Sequence, residues 1–191
     1  FNIDNVTISN GDAEEQLNII NAKVNISNLK IVNSISDAFD CDFCEGTIKN
    51  ISLKDVGGDG LDISGSNLNI INMKAEHIKD KAFSVGEKSF AVINYAEYKN
   101  IATGIAVKDS STVQASNISL KDVGFDSFMT YVKKPFYRGE TRLEVDKYSV
   151  NGEIESNLCV REKGTELVIN DINCDISKID IDELYQGRMK K

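Results

Sequence analysis

The chain has 191 residues, enough for one domain with a sizeable core, and is 41% hydrophobic and 27% charged, with one proline and no tryptophan. A net charge of −8 and a pI near 4.8 argue against nucleic acid or an anionic membrane as the main partner, since both favour a basic surface. The same acidity makes binding of an acidic polysaccharide dependent on a bridging cation or a local basic patch, and no apolar run approaches the ~20 residues that span a bilayer.

The repeat begins at the first residues. Asparagine stands at Asn5, Asn28, Asn50, Asn72, Asn94 and Asn117, at intervals of 22 or 23. Apolar residues precede it by two and four places in most coils (Val24 and Ile26, Leu68 and Ile70), and another follows it (Leu29, Ile51, Met73). A second column, Leu17, Phe39, Leu61, Phe83, Ile105 and Phe128, keeps the same period. Two places on from each stand Ile19, Cys41, Ile63, Val85, Val107 and Thr130. Alternation with period two marks strands with one buried face, and a shared long period marks a solenoid. Each coil therefore reads as three short strands, one before the asparagine, one after it and one carrying the Phe39/Leu61 column. Asparagine suits the bend because it tolerates a left-handed backbone and its amide can bond to coils above and below. A helical solenoid is excluded by the period of two and the β-branched composition.

Beyond Thr130 the register jumps. Leu143 and Val145 resume the first strand, Lys147 takes the asparagine slot, and Leu158 and Val160 are expected to resume the other column. The agreement locates an insertion at residues 133–142. A last coil uses Leu167, Ile169 and Asp171, so the β-helix spans residues 1–176. Residues 177–191 break the pattern and are expected to form a tail whose short helix, capped by Ser177 or Asp180 and carrying Ile181, Leu184 and Tyr185, covers the open end. No signal peptide or N-terminal cap is visible, and Phe1 already lies inside the repeat, so the chain reads as a mature product or part of a larger polypeptide. The spacing of Cys41, Cys44, Cys159 and Cys174 fits neither a dense disulfide scaffold nor a usual zinc site. Positions 41 and 44 of one strand would face opposite ways, and Cys41 and Cys174 read as small buried hydrophobes.

An asparagine ladder on coils of ~22 residues resembles the pectate-lyase-like superfamily of right-handed parallel β-helices. The strings SDAFD, GGDGLDISGS, DKAFSVGEKS and GIAVKDSS are similar to β-helix domains of large bacterial envelope proteins. The resemblance implies an all-β, single-stranded right-handed parallel β-helix of about eight coils, and an extracellular or cell-surface location. It also implies a substrate track on the outer face of the strand after the longest loops, here the Phe39/Leu61 column.

The outward positions of that column run from acidic to basic, over a floor of small residues. Asp37, Asp40, Asp59 and Asp62 bring two carboxylate pairs onto adjacent coils. That pattern suits a calcium ion, paired-carboxylate hydrolysis, or hydrogen bonding within the turns that open the strands. Asp109 is the next candidate together with two lysines: Lys81 and Lys108 suit the base and cation of an elimination or epimerisation next to a uronate carboxyl, if neighbours lower a lysine pKa. With Asp40 and Asp62 they make the candidate catalytic set; exposed inter-coil ion pairs are the plainer account. Tyr131, Lys133, Lys134, Tyr137, Arg138 and Arg161 cluster at the basic end as candidate sugar contacts. His77, the sole histidine, reads as a solvated loop residue. No Ser/His/Asp set, phosphate loop or HExxH motif is present. Two functions are expected to compete: a rigid surface module that binds or presents glycan, and a polysaccharide lyase, hydrolase or uronate epimerase.

Overall fold

A computed structural model describes residues 1–152 and 157–170, together with residues 172, 174–177, 179, 181 and 184. It is an all-β right-handed parallel β-helix of about seven turns, with almost no helix among the described residues. The strands are β1 (Asn2–Gly11), β2 (Glu15–Ile20), β3 (Lys23–Ser34), β4 (Asp37–Asp42), β5 (Glu45–Val56), β6 (Leu61–Ser64) and β7 (Asn67–Gly86). They continue as β8 (Phe90–Lys108), β9 (Thr112–Val123), β10 (Asp126–Tyr131), β11 (Arg142–Asn151), β12 (Asn157–Arg161), β13 (Glu166–Ile169) and β14 (Asp175–Ile176). Among the described residues these strands pair with one another in parallel, and one isolated antiparallel bridge joins Ile169 to Ile172. One column stacks β1, β3, β5, β7, β8, β9, β11 and β13. The other stacks β2, β4, β6, the ends of β7 and β8, β10, β12 and β14.

The two predicted strands flanking each asparagine are one continuous strand bent at that residue. Asn5, Asn28, Asn50, Asn72 and Asn117 all adopt left-handed backbone, φ 53–62°. Asn50 Nδ2 donates to Asn28 Oδ1 at 3.0 Å, and Asn72 Nδ2 to Asn50 Oδ1 at 2.9 Å. The bend thus satisfies side-chain amides coil to coil without breaking the backbone ladder. In the fifth coil the column lies one residue later than expected: Tyr95 takes the left-handed position at φ 63°, and Asn94 pairs with Ile71 and Ser116. Asn94 still accepts from Asn117 Nδ2 at 2.8 Å. Replacing Asn50 by alanine removes both ladder bonds and leaves a Cβ residue in left-handed backbone. A loss of about 1–2 kcal/mol is expected in urea unfolding, against little change for the exposed Lys49→Ala.

A second left-handed column, Asn10, Asn33, Asp55, His77, Asn100 and Asp122, closes the other end of the same strands. Asn33 Nδ2 donates to Asn10 Oδ1 at 3.0 Å, and His77 Nδ1 lies 2.8 Å from Asp55 Oδ1. His77 is exposed, as expected, but it is a rung of this ladder rather than a loop residue.

The core is continuous along the rod. Leu17, Phe39, Leu61, Phe83, Ile105 and Phe128 are in register, and the last five are fully buried. Each such side chain contributes roughly 1.5–3 kcal/mol of transfer free energy. At one corner the backbone N–H groups of Cys44, Ser66 and Ser89 donate to the hydroxyls of Ser66, Ser89 and Ser111 in the coil above, at 2.8–3.1 Å. Buried polar backbone is thereby satisfied where the strand pairing stops.

Two expectations are corrected, one on the cysteines and one on the register after the insertion. All four cysteines are in disulfides, Cys41–Cys44 and Cys159–Cys174. Phe43 is left-handed at φ 55°, so the chain turns after Asp42 and Cys44 folds back inward beside Cys41. Cys159, not Leu158 or Val160, continues the Phe128 column, because residue pairing runs Phe128–Cys159 and Met129–Val160; that register aims Cys159 at Cys174 inside and puts Val160 outside. The tail residues Ile179, Ile181 and Leu184 pack on a second apolar cluster made by Ala106, Met129, Tyr131 and Val160. They therefore cover the outer face of the β8–β10–β12 column. Asp171, Asp180 and Tyr185 lie outside the described residues, as does the extent of the expected capping helix. No helix among the described residues is long and apolar enough to cross a membrane.

Candidate functional site

The outer face of the β4–β6–β7–β8–β10 column divides into an open acidic part and a covered part. Asp40 of β4, Asp62 of β6, Ser84 of β7, Ala106 of β8 and Met129 of β10 are successive rungs. Asp40, Asp42, Asp62 and Ser64 are partly exposed, whereas Ser84, Ala106 and Met129 are buried. The small-residue floor expected to be open is thus closed over.

Asp37 and Asp59 do not join Asp40 and Asp62. They open β4 and the turn before β6, both 3% exposed, and serve the backbone. Asp37 Oδ1 accepts from the Asp59 N–H at 2.7 Å, and Asp59 Oδ1 from the Lys81 N–H at 3.0 Å. Among the described residues no three His, Cys, Asp or Glu side chains come together as a metal-binding group. The four aspartates expected for calcium are split between a turn ladder and the outer face.

Lys81 stands one coil above Asp59 in the same turn column. It is 1% exposed, with Nζ 3.0 Å from Asp59 Oδ1 and 2.8 Å from Asp80 Oδ2. Burial opposes ionisation of Asp59, but Lys81 and Lys108 outweigh it and hold that carboxyl below its usual range. Asp80 is pushed up to about 7 by burial and by Asp59, against the opposing effect of Lys81. Lys81 is therefore a buried counter-ion. Its ammonium is taken up by two carboxylates and enclosed, rather than presented to a substrate.

Lys108 ends β8 and is 5% exposed. Its Nζ donates to Ser84 Oγ at 2.5 Å and lies 3.6 Å from Asp62 Oδ1. The side chain runs over Gly86, where a Cβ would come within 3.1 Å of Cε, so this crossing requires glycine or a shift of the lysine. Asp40 lies one coil beyond Asp62. Burial first, then the charges of Asp62 and Asp37, push it up to about 8. Asp42 is raised as well, by burial and then by Asp62.

This gives a pH dependence with a definite sign. Asp40 holds its proton in the fold at pH values where the unfolded chain has released it, so its contribution to stability falls as pH rises from about 4 through about 8. Asp40→Asn is expected to flatten that fall and to raise the melting temperature near pH 8 while changing little near pH 5. A thermal unfolding series checks it; equal shifts at both pH values would show that Asp40 does not titrate this way.

The insertion is anchored by two acidic residues, Asp109 and Glu87. Fully buried Asp109 accepts from the Lys133 and Lys134 N–H groups at 2.8 and 2.6 Å. Glu87 pairs with Lys134 Nζ and accepts from Tyr137 Oη at 2.9 Å. Burial opposes ionisation of Glu87, but those two partners hold its carboxyl below the usual range. Tyr131 is fully buried in the outer apolar cluster, Arg161 Nη1 donates to the Thr165 carbonyl at 3.2 Å, and Arg138 is exposed. The candidate sugar contacts are therefore dispersed: Lys134 and Tyr137 hold the insertion, Lys133 anchors it through its backbone, Arg161 braces a turn, and Tyr131 packs under the tail. An exposed aromatic ring that the sequence reading passed over does border the acidic part. Phe43 is 59% exposed, and its ring lies where a Gly65 Cβ would otherwise sit, 2.6 Å away. No family model matches the sequence, and no curated protein and no solved structure matches it either.

Proposed function

We propose that this chain is a rigid module of a secreted or cell-surface bacterial protein, of pectate-lyase-like architecture, that binds or presents glycan without transforming it. The observation that carries this reading is the state of the two candidate bases: Lys81 is enclosed between Asp59 and Asp80, and Lys108 lies against Ser84 and Asp62. Neither is placed as a free amine over an open groove. The exterior location is supported by two disulfides, which persist in oxidising compartments. A glycan role is supported by the exposed Phe43 ring beside partly exposed Asp42, Ser64 and Asp62, an apolar platform with acceptors for sugar hydroxyls.

One observation favours the alternative of a polysaccharide lyase, hydrolase or uronate epimerase. Asp40 keeps its proton near neutrality beside Asp62 on the next coil, a spacing of ~4.8 Å that approaches the separation used by retaining glycosidases. A glycan array and a turnover assay on a neutral and uronic polysaccharide panel separate the two. The module reading expects retention on glycan that weakens in Phe43→Ala, with no product formed. Product that disappears in Asp40→Asn or Lys108→Met would establish the enzyme instead.

A further inference from the structure

The sheet between the two left-handed columns carries a face of unusual charge. Its outward residues form two rows in register along β1, β3, β5, β7, β8, β9 and β11. One row runs Thr7, Lys30, Ser52, Lys74, Glu97, Ser119 and ends at Ser149; the other runs Ser9, Val32, Lys54, Glu76, Lys99, Lys121 and ends at Asn151. Five lysines, two glutamates and no aspartate leave the face three charges positive on a chain whose net charge is −8. The middle of the face is an open cleft of about 350 Å³.

The charges within it are unevenly matched. Lys54 and Lys99 share Glu76, at 2.9 and 3.4 Å, and Lys74 takes Glu97 at 3.0 Å. Lys121 has no salt bridge or side-chain hydrogen bond among the described residues. Its register partner on the neighbouring parallel strand is Lys99, also a cation. Like charges directly opposite on adjacent strands are unfavourable, and an anion seated between them removes the repulsion. Ser119 and Ser52 line the same cleft and offer hydroxyls to such a ligand.

We propose that this face binds an acidic polysaccharide, with a carboxylate or sulfate of the polymer seated between Lys99 and Lys121. A parallel sheet repeats its rows every ~4.8 Å, so the lysines form a track along the rod rather than a single point. The charge density is modest and interrupted by Glu76 and Glu97. It suits a polymer with one charge per sugar better than duplex DNA, whose charges recur every ~1.7 Å and would meet the acidic remainder of the chain. The class of ligand rests on the carbohydrate reading above; the surface lies apart from the Phe43 and Asp40 face.

The test is retention of the intact protein on immobilised polygalacturonate, in EDTA so that no cation bridges the aspartates, with dextran, duplex DNA and anionic phospholipid vesicles run beside it. Binding to polygalacturonate that weakens with salt, and weakens about tenfold in Lys99→Gln/Lys121→Gln but not in Phe43→Ala, is the expected result. Both lysines are on the surface, and an unchanged melting temperature confirms that the variant is folded. Retention on dextran with no preference for polygalacturonate and no effect of the lysine variant overturns this inference while leaving the module reading in place. Tighter binding to DNA or vesicles also overturns it, and retention on neither polygalacturonate nor dextran overturns it while leaving a presenting role for the module in place.

Discussion

Replacing Lys81 by methionine is expected to lower the unfolding free energy by about 3–5 kcal/mol, the range for removing one partner of a buried ion pair. The side chains of Lys81, Asp59 and Asp80 are 1%, 5% and 4% exposed, so these ion pairs are shielded from solvent. Asp59 and Asp80 would remain buried without their nearest cation, with Lys108 still acting on Asp59 from further off. The loss should grow with pH. Without Lys81 the carboxyls retain protons to higher pH in the fold than in the unfolded chain, so stability falls as pH rises through their folded range, which for Asp80 is already about 7. Urea unfolding near pH 5 and near pH 8 measures both effects. Adding Asp59→Asn and Asp80→Asn to Lys81→Met should recover a substantial part of the stability, because neutral amides are cheaper to bury than charges. A loss under about 1 kcal/mol, equal at both pH values, would mean that Lys81 is not the counter-ion. This measurement also bears on function: a lysine kept for chemistry would change turnover and leave stability largely intact.

Breaking the Cys159–Cys174 bridge is expected to cost about 3 kcal/mol, the value for a closed loop of some 15 residues. The effect should be local. In a solenoid each coil is stabilised mainly by its neighbours, and the last coil has only one. β14 is a two-residue strand, and the bridge ties it to the β12 level. A Cys159→Ser/Cys174→Ser variant should lose amide-exchange protection across β12, β13 and β14 while β3 to β9 keep theirs. Uniform loss along the rod would show that the helix unfolds as one unit. Cys41–Cys44 spans three residues and lies between well-paired levels, so its removal should cost less.

The architecture was legible because a solenoid writes its third dimension into its period. Residues 22 or 23 apart become neighbours, so the asparagine column and the Phe39/Leu61 column each announce a stack. The second left-handed column carried the same signal in mixed types, Asn, Asp and His, and is visible once the period is known. The Asn94 slip came from a one-residue difference in coil length that a neighbouring Tyr95 absorbs. The Cys159 slip came from the insertion, where the period no longer constrains the register.

The candidate site was less legible, because local patterning states which way a side chain points but not what lies above it. Ser84, Ala106, Lys108 and Met129 alternate with the inward column and so stand on the outer face. Their burial depends on Ile179, Ile181 and Leu184 and on a lysine chain crossing Gly86, contacts made across dozens of residues. Asp37 and Asp40 are three residues apart in sequence, yet one serves a turn N–H and the other faces outward beside Asp62. Repeat period and alternation determined the parallel stack and the inward columns, since both are local or fixed by coil length. Tertiary structure alone decided which outward residues stay accessible and which charges meet, because burial and ion pairing depend on segments whose separation follows no period.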